Sequence, residues 1–134
     1  MNSIFITGAN GFIGNVLLSE FKGIKGEINT LSRSGLETKS NFKGSFFDKN
    51  FITKALEKIR PNIIIHLAWE TKPGIFYNSD SNDQWSSRTI EFIDEFFFLG
   101  GKKFIFMSTC EEYGILVNNI KPDELNICIP TNKY

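Results

Sequence analysis

The stretch Ser3–Gly14, SIFITGANGFIG, decides the fold because it joins a strand pattern, a glycine-rich turn and a helix pattern without a gap. Its first residues, Ser3–Thr7, are mostly apolar or β-branched and predict a buried strand. Glycines follow at positions 8, 11 and 14, and an apolar helical pattern covers Phe12–Phe21. A strand, such a turn and a helix in this order form an anion site, because the amides at the start of the helix and its dipole favour negative charge.

The glycines have the spacing G-x-x-G-x-x-G. A tight turn, a close approach of backbone to phosphate, and close helix–strand packing each require a residue without a side chain. Three glycines so spaced occur by chance in roughly one chain of this length in twenty to thirty, so their place between a strand and a helix carries the argument. An ordinary surface turn is the alternative. We predict that a dinucleotide diphosphate binds here, at Gly8, Asn10, Gly11, Phe12, Ile13 and Gly14.

Strand and helix patterns alternate through the rest of the chain. Further strands are predicted at Ile28–Ser32, Gly44–Phe47, Asn62–Ala68 and Lys103–Ser108, the last of them buried, and helices at Phe51–Ile59 and Thr89–Leu99. On the first helix, one apolar side is predicted to contain Phe12, Ile13, Val16, Leu17 and Phe21. Alternation of this kind predicts an α/β fold, in which helices cover both faces of a parallel sheet. The residues from Asn118 to Tyr134 show no period.

Composition and charge exclude several classes of function. Fifteen basic and fifteen acidic residues give a formal net charge of zero, which argues against electrostatic binding of nucleic acid or anionic lipid. The longest apolar runs are too short to cross a bilayer, and the N-terminus lacks the features of a signal peptide. Cys110 and Cys128 are isolated and have no metal-binding spacing. We therefore expect one cytoplasmic domain with no metal, nucleic-acid or membrane partner.

Four motifs occur in order along the chain: TGANGFIG, IIIHLAW, KFIFMSTCEEYG and PTNKY. Together they resemble the extended short-chain dehydrogenase/reductases, and more narrowly the NAD-dependent epimerase/dehydratase family, which acts on sugar nucleotides. The resemblance covers essentially the whole chain. It implies a Rossmann-type doubly wound parallel sheet with bound NAD or NADP. It also implies hydride exchange between the nicotinamide and a sugar carbon of a nucleotide-sugar substrate, through a Ser/Thr hydroxyl and a Y-x-x-x-K motif.

The second predicted strand ends in LSRSG, where such folds contact the adenosine ribose. An acidic residue there accepts hydrogen bonds from the ribose hydroxyls, whereas an arginine suits a 2′-phosphate. Arg33 lies 25 positions after Gly8 (33 − 8), and Ser32 and Ser34 could add donors to the same phosphate. This pattern favours NADP over NAD. A solvated surface arginine is the alternative, and similar enzymes with arginine here also use NAD.

The resemblance assigns further residues to the cofactor. Asp48 matches the position whose carboxylate meets the adenine amino group, although an aspartate here is equally expected as a helix N-cap. The end of the fourth strand is implied to line the cofactor through Leu67, Ala68 and Trp69. The only histidine, His66, is expected to be a buried structural residue and not a catalytic one.

The resemblance also places the catalytic residues. Aligning the Y-G pair of STCEEYG puts Thr109 at the catalytic Ser/Thr, with Ser108 as a weaker candidate. The family spacing then puts the general acid/base 25 residues later, at Tyr134 (134 − 109). The neighbouring pair Glu111–Glu112 is expected to be solvated, and not an acid/base dyad.

The lysine of the motif is missing from the sequence. A free tyrosine has a pKa of ~10, and in this family a lysine four residues later lowers it and binds the nicotinamide ribose. Neither Tyr77 nor Tyr113 has a lysine at that spacing, and position 138 does not exist here. We therefore expect an N-terminal cofactor-binding domain spanning residues 1–134, truncated after the fifth strand and the loop to the catalytic tyrosine, and inactive alone.

Truncation has a further expected consequence. The missing helix would leave apolar surface and a strand edge uncovered, which favours association as a homodimer or between fragments. A non-catalytic NADP-binding module and an inactive remnant are the alternatives to an enzyme segment.

Overall fold

The computed structural model describes residues 3–35, 37–74, 76–115 and 121–134. Five strands occur in these ranges: β1 Ser3–Thr7, β2 Glu27–Ser32, β3 Asn41–Lys43, β4 Ile63–His66 and β5 Lys103–Phe106. Three α-helices accompany them: α1 Phe12–Glu20, α2 Lys49–Ile59 and α3 Ser81–Phe98. Two short 3₁₀ turns lie at Phe76–Asn78 and Cys110–Tyr113.

The strands form one parallel sheet in the order β3-β2-β1-β4-β5. From β1 the chain adds β2 and β3 on one side and then returns to add β4 and β5 on the other. This reversal makes the sheet doubly wound, as predicted, and places the topological switch point between β1 and β4. In open α/β sheets, ligands bind outside the carboxyl ends of the strands at such a point.

The central strand is buried on both faces, which explains its almost unbroken apolar sequence. On one face the Phe5 ring meets the ring of Phe92, from α3, with 6.4 Å between centroids. On the other face Ile6 packs in a cluster with Leu17 and Leu18 of α1. Helices therefore cover the two sides of β1 separately.

Helix α1 turns a different side toward the sheet from the one predicted. The buried residue of this helix is Gly14, and a Cβ there would lie 2.5 Å from the Ala9 carbonyl oxygen. The glycine must therefore face the β1 end, which directs positions 14, 17, 18 and 21 inward. The prediction was wrong for three residues, which are exposed: Phe12, Ile13 and Val16.

The third strand lies earlier than predicted, at Asn41–Lys43 instead of Gly44–Phe47. The predicted segment is a turn, because the Asp48 amide donates to the Ser45 carbonyl at 3.1 Å and the Phe47 amide to the Ser45 hydroxyl at 3.2 Å. Because Phe46 is buried although it lies in a turn, the sequence of this segment resembles that of a short buried strand.

Helix α3 begins at Ser81, eight residues before the predicted start at Thr89. Its first turn follows Ser79, whose carbonyl accepts from the Asn82 amide at 3.0 Å and whose hydroxyl accepts from the Ser81 amide at 3.2 Å. The opening turns are polar, so the apolar period that reveals a helix is absent there.

The chain divides into two compact units. The sheet unit contains residues 1–69 and 88–107, and the C-terminal unit contains residues 70–87 and 108–134. Among the described residues, none of the helices has both the length and the apolar character that crossing a membrane requires.

Candidate functional site

The turn between β1 and α1 can be made only with glycine at its first position. Gly8 has φ +69°, in the left-handed region, and a Cβ there would lie 2.7 Å from the carbonyl carbon of Leu67. The Gly11 amide donates to the Gly8 carbonyl at 3.0 Å and closes the turn. Gly8 therefore allows both the sharp turn and the close approach of β1 to the end of β4.

The start of α1 is open. Gly11 is its N-cap, exposed and without a side-chain capping hydrogen bond. The amides of Phe12 and Ile13, in the first turn, have no intrahelical acceptor, as at every helix start. With Gly14 packed against Ala9, the glycines supply the tight turn and the close packing that a phosphate-binding corner requires, and Gly11 leaves the helix start exposed.

Asn10 connects this corner to the loop after β2. Its Nδ2 donates to the Ser34 carbonyl at 3.0 Å, and its own carbonyl accepts from Nδ2 of Asn15 at 3.1 Å. Arg33 lies in the connected loop with an exposed side chain, and it forms no ion pair with any residue that the structure describes. The guanidinium is therefore available to a ligand.

Of the two serines flanking Arg33, only one remains a candidate donor to a ligand. Ser32 is buried, and its hydroxyl donates to the Ser34 carbonyl at 2.8 Å, with the Asn41 Oδ1 at 3.2 Å. This hydroxyl stabilises the loop from inside, against the expectation that it could help bind a phosphate. Ser34 is exposed.

Asp48 caps helix α2. Its Oδ1 accepts from the Phe51 amide at 3.0 Å, which gives the N-cap interpretation its geometry. The cap uses one carboxylate oxygen. The second, Oδ2, forms no hydrogen bond within the described ranges, so capping and contact with a ligand are compatible.

The end of β4 lies beside Gly8. The Leu67 amide donates to the Thr7 carbonyl at 3.2 Å, and the Ala68 amide to the Thr7 hydroxyl at 3.3 Å. Leu67, Ala68 and Trp69 are all half-buried. The indole of Trp69 meets the ring of Phe106 with 5.9 Å between centroids.

His66 is completely buried, as the sequence predicted. Its Nδ1 lies 2.7 Å from the Thr7 hydroxyl and its Nε2 3.3 Å from the Thr89 hydroxyl. Burial lowers the pKa of His66 to about 4, so the ring is neutral at pH 7. Sequence reasoning missed both threonines, because a single Thr at a strand end or inside a helix has no distinguishing pattern.

In the C-terminal unit, the two candidate catalytic hydroxyls, those of Thr109 and Ser108, make different hydrogen bonds. Thr109 caps the turn Cys110–Tyr113, and its Oγ1 accepts from the Glu111 amide at 3.3 Å. This leaves its proton available for donation. The Ser108 hydroxyl instead donates to Oε2 of Glu112 at 2.5 Å. The arrangement favours Thr109 as the group that could hydrogen-bond a substrate.

Tyr134 packs against aromatic residues of the same unit. Its ring lies 4.6 Å from that of Phe76 and 5.7 Å from that of Tyr77, measured between centroids. Its amide donates to the Asn132 Oδ1 at 3.0 Å, and Nδ2 of Asn132 donates to Oε2 of Glu111 at 2.8 Å. Two hydrogen bonds therefore connect Tyr134 to the turn that follows Thr109. Glu111 and Glu112 are both half-buried and hydrogen-bonded, and not simply solvated as expected.

The residue before Tyr134 is held by two carboxylates. Nζ of Lys133 lies 2.8 Å from Oδ1 of Asp80 and 2.9 Å from Oδ2 of Asp83. The hydrogen bond to Asp80, followed by that to Asp83, raises the pKa of Lys133, and Lys133 lowers the pKa of Asp80. No sequence pattern indicates this ion-pair cluster, because Lys133 lies 53 and 50 positions after the two aspartates.

No cluster of His, Cys, Asp and Glu side chains suited to a metal ion occurs in the described part of the chain. Cys110 and Cys128 are exposed free thiols.

Comparison with known proteins shows which family the chain belongs to. The family model of the NAD-dependent epimerase/dehydratases matches residues 4–134. No curated protein sequence matches the chain.

Three solved structures illustrate the likeness of fold. The UDP-glucose 4-epimerase of Thermotoga maritima, determined with UDP-glucose, is 22% identical with a TM-score of 0.77, over 98% of this chain and 46% of that one. The UDP-Glc/GlcNAc 4-epimerase of Campylobacter jejuni is 23% identical with a TM-score of 0.84, over 100% and 45%. The Bordetella bronchiseptica enzyme WbmG, in complex with NAD and UDP, is 19% identical with a TM-score of 0.77, over 98% and 44%.

The chain thus spans less than half the length of each of these three structures. Their low identities support the fold alone, whereas the family match extends from within the first strand to Tyr134. On that match, the chain belongs to the NAD-dependent epimerase/dehydratase family.

Proposed function

We propose that the sheet unit binds a nicotinamide dinucleotide, with the diphosphate at the turn from Gly8 to Gly14. The observation that carries this proposal is the open N-terminus of α1 at the switch point of the sheet. Unpaired amides and the helix dipole stabilise an anion there. Gly11, the exposed N-cap, leaves the helix start open, and a Cβ there would lie 3.2 Å from the Gly8 carbonyl oxygen, so a side chain would also crowd the turn. Bound NAD in the fold neighbour WbmG is consistent with this assignment.

The proposed cofactor is NADP, with NAD as the alternative. Arg33 supports NADP, because an exposed guanidinium without an ion-pair partner in the described chain can bind a 2′-phosphate through two parallel hydrogen bonds. The Asn10–Ser34 hydrogen bond keeps this loop beside the diphosphate corner. NAD is supported by WbmG, whose complex contains it.

Other residues of the sheet unit are proposed to orient the two ends of the cofactor. Oδ2 of Asp48 would accept a hydrogen bond from the adenine amino group. Leu67, Ala68 and Trp69, half-buried after the end of β4, would line the nicotinamide half.

The proposed reaction class is hydride exchange between the nicotinamide and a sugar carbon of a nucleotide sugar. The bound cofactor would supply the hydride acceptor or donor. Thr109 would donate a hydrogen bond to the reacting sugar oxygen, and Tyr134 would exchange its phenol proton with that oxygen. The Thr109 hydroxyl is suited to this task because its oxygen already accepts the Glu111 amide, which leaves its proton free.

These 134 residues are proposed to bind cofactor without turning over a sugar by themselves. A phenol acts as a base at neutral pH where a neighbouring cation lowers its pKa. The ammonium of Lys133, the residue before Tyr134, is held by Asp80 and Asp83 and so is not directed to this task. This favours, as a second candidate, a module that binds NADP without catalysis.

The test is a titration of the purified chain with NADPH and NADH, followed by the fluorescence of Trp69 and Trp85. Saturable binding of either nucleotide is expected, with quenching reduced in a Trp69→Phe variant. Absence of saturable binding of both would remove the proposal. Turnover of UDP-glucose by the same preparation would remove the non-catalytic candidate.

A further inference from the structure

One side chain, that of Arg88, contacts both the backbone and the ring of Phe46 in the turn that precedes α2. Arg88, on α3, is only 6% exposed. Its Nε donates to the carbonyl oxygen of Phe46 at 3.2 Å, and its guanidinium carbon lies 5.3 Å from the centroid of the Phe46 ring. A hydrogen bond and a cation–π contact to the same residue leave Phe46 little freedom.

Holding Phe46 also holds Asp48, two residues later. The segment between β3 and α2 is a tight turn closed by the Asp48 amide on the Ser45 carbonyl at 3.1 Å. The ring of Phe46 is buried against His66 and Phe92, with 4.8 and 5.2 Å between centroids. The buried ring of Phe46 therefore fixes the turn to the core, and Arg88 is the polar side chain that holds Phe46 there.

A second connection runs from Arg88 to the first residue of α2. Nη1 of Arg88 lies 3.3 Å from Oε2 of Glu91, and the same oxygen lies 3.4 Å from Nζ of Lys49. Lys49 directly follows Asp48. Because Glu91 and Lys49 are exposed, this connection is weaker than the buried one.

For a purely structural position, Arg88 is a residue that lowers the stability of the fold. Its Nη2 is buried without a hydrogen-bond partner among the described residues. An incompletely paired buried guanidinium destabilises a fold, and an apolar side chain of similar volume would pack there without this penalty. A residue that lowers the stability of the fold in this way is typical of a functional site.

We propose that Arg88 is a positioning residue for adenine recognition. It fixes the turn from Ser45 to Asp48 so that Oδ2 of Asp48, the oxygen not used to cap α2, stays available to the adenine amino group. This inference rests on the proposed dinucleotide site and adds a residue on another helix that does not itself touch the ligand.

The experiment compares two ligands that differ at the amino group. The cofactor that binds wild type more tightly, NAD or NADP, is titrated beside its deamino analogue, in which hypoxanthine replaces adenine. Wild type is expected to prefer the adenine form about tenfold, the effect of one hydrogen bond to a charged acceptor. Asp48→Asn is expected to reduce this preference, and Arg88→Lys to reduce it equally. In the Asp48→Asn background, Arg88→Lys should change the preference no further.

The outcomes separate this inference from the proposed function. If neither ligand binds to wild type, the proposed dinucleotide site itself is wrong. Binding without an adenine preference, or an Arg88→Lys variant that keeps the preference or weakens both ligands equally, overturns the role of Arg88. Lys54→Met, an exposed change on α2, is the control and should leave the preference intact.

A variant at a buried arginine can fail to fold. The exposed variant Glu91→Gln then decides, because it removes the charge that pairs with Nη1 of Arg88 and Nζ of Lys49 without touching the core. We expect it to reduce the adenine preference about two- to threefold. An unchanged preference in folded Glu91→Gln would count against the proposal.

Discussion

The hydroxyl oxygen of Thr7 lies 2.7 Å from Nδ1 of His66 and also accepts the amide of Ala68 at 3.3 Å. Thr7 directly precedes Gly8, so this hydroxyl joins the end of β1 to the end of β4 beside the proposed diphosphate corner. A neutral ring satisfies the contacts if Thr7 donates to Nδ1 and a proton on Nε2 donates to the Thr89 hydroxyl. A protonated ring would present two donors and leave the Thr7 proton without its acceptor.

Acid is therefore expected to destabilise the sheet unit through His66. Burial lowers the folded-state pKa to about 4, below the unfolded value of 6.5. Between these values the unfolded chain binds more protons, so this contribution to stability is complete above pH 6.5 and is lost as the pH falls toward 4. The loss between pH 7 and pH 5 is about 2 kcal/mol.

The measurement is denaturant unfolding at pH 7 and pH 5 for wild type and for His66→Gln. The variant has an amide that can still hydrogen-bond the threonines but does not titrate. It should be less stable than wild type at pH 7 and should lose about 2 kcal/mol less between the two pH values. An equal loss in both proteins would show that other groups cause the acid sensitivity.

The glycine corner gives a second prediction, in which stability and binding respond differently. In Gly14→Ala the new Cβ would lie 2.5 Å from the Ala9 carbonyl oxygen, so α1 must move away from the turn. Overpacking of this kind costs about 1–3 kcal/mol. Because the amides of the first turn move with the helix, dinucleotide affinity should fall as well.

Gly23→Ala is the matched control. Gly23 has φ +93°, and a Cβ at this position would have no atom within 4 Å, so alanine there strains the backbone without contacting the corner. Stability should fall while the dissociation constant for the dinucleotide, measured well below the melting temperature, stays the same. Equal effects of both variants on binding would contradict the assignment of the corner.

Arg33 gives a third prediction, concerning cofactor choice. Arg33→Ala should weaken NADP about tenfold or more, because a charge-assisted contact to the 2′-phosphate is lost, and should weaken NAD little. Lys25→Ala, an exposed change in the turn before β2, should affect neither. Titration of each variant with NADPH and NADH checks this. An equal loss for both cofactors would contradict a contact to the 2′-phosphate, and no loss for either would identify Arg33 as a solvated surface residue.

The centre of the sheet was predictable from sequence because β1 and β4 are almost entirely buried. The prediction of a buried strand at Lys103–Ser108 was wrong in burial, because β5 lies at the edge of the sheet and is mostly exposed. The runs at Ser3–Thr7 and Ile63–His66 are apolar almost throughout, and only a parallel sheet covered on both sides accommodates several such runs. The glycine corner was predictable for a related reason: Gly8 and Gly14 fill positions where backbone conformation or close packing excludes a side chain.

The mispredicted parts depend on contacts that a local pattern does not contain. The exposed face of α1 follows from the packing of Gly14 on Ala9, which overrides the apolar character of Phe12 and Val16. Arg88 gave no signal, because a single arginine in a polar helix start is normally solvated. Only the three-dimensional contact with Phe46 distinguishes it.

A final prediction concerns the carboxylates that hold the residue before Tyr134. Asp80 and Asp83 bind the ammonium of Lys133, and the Lys133 amide donates to the Tyr77 carbonyl at 3.1 Å. Replacing both with Asn leaves Lys133 in place but removes the charges that hold it. The amides of Lys133 and Tyr134 should then exchange with deuterium roughly two- to tenfold faster, because exposed ion pairs contribute modestly.

Hydrogen exchange followed by NMR makes the comparison for each amide. Asp94→Asn, an exposed change on α3 outside the ion-pair cluster, should leave exchange at both amides unchanged. Added salt should reduce the difference between wild type and the double variant, because it screens exposed charges. Unchanged protection in the double variant would mean that the packing of Tyr134 against Phe76 and Tyr77 suffices to hold this segment, and that the carboxylates do not position the tyrosine.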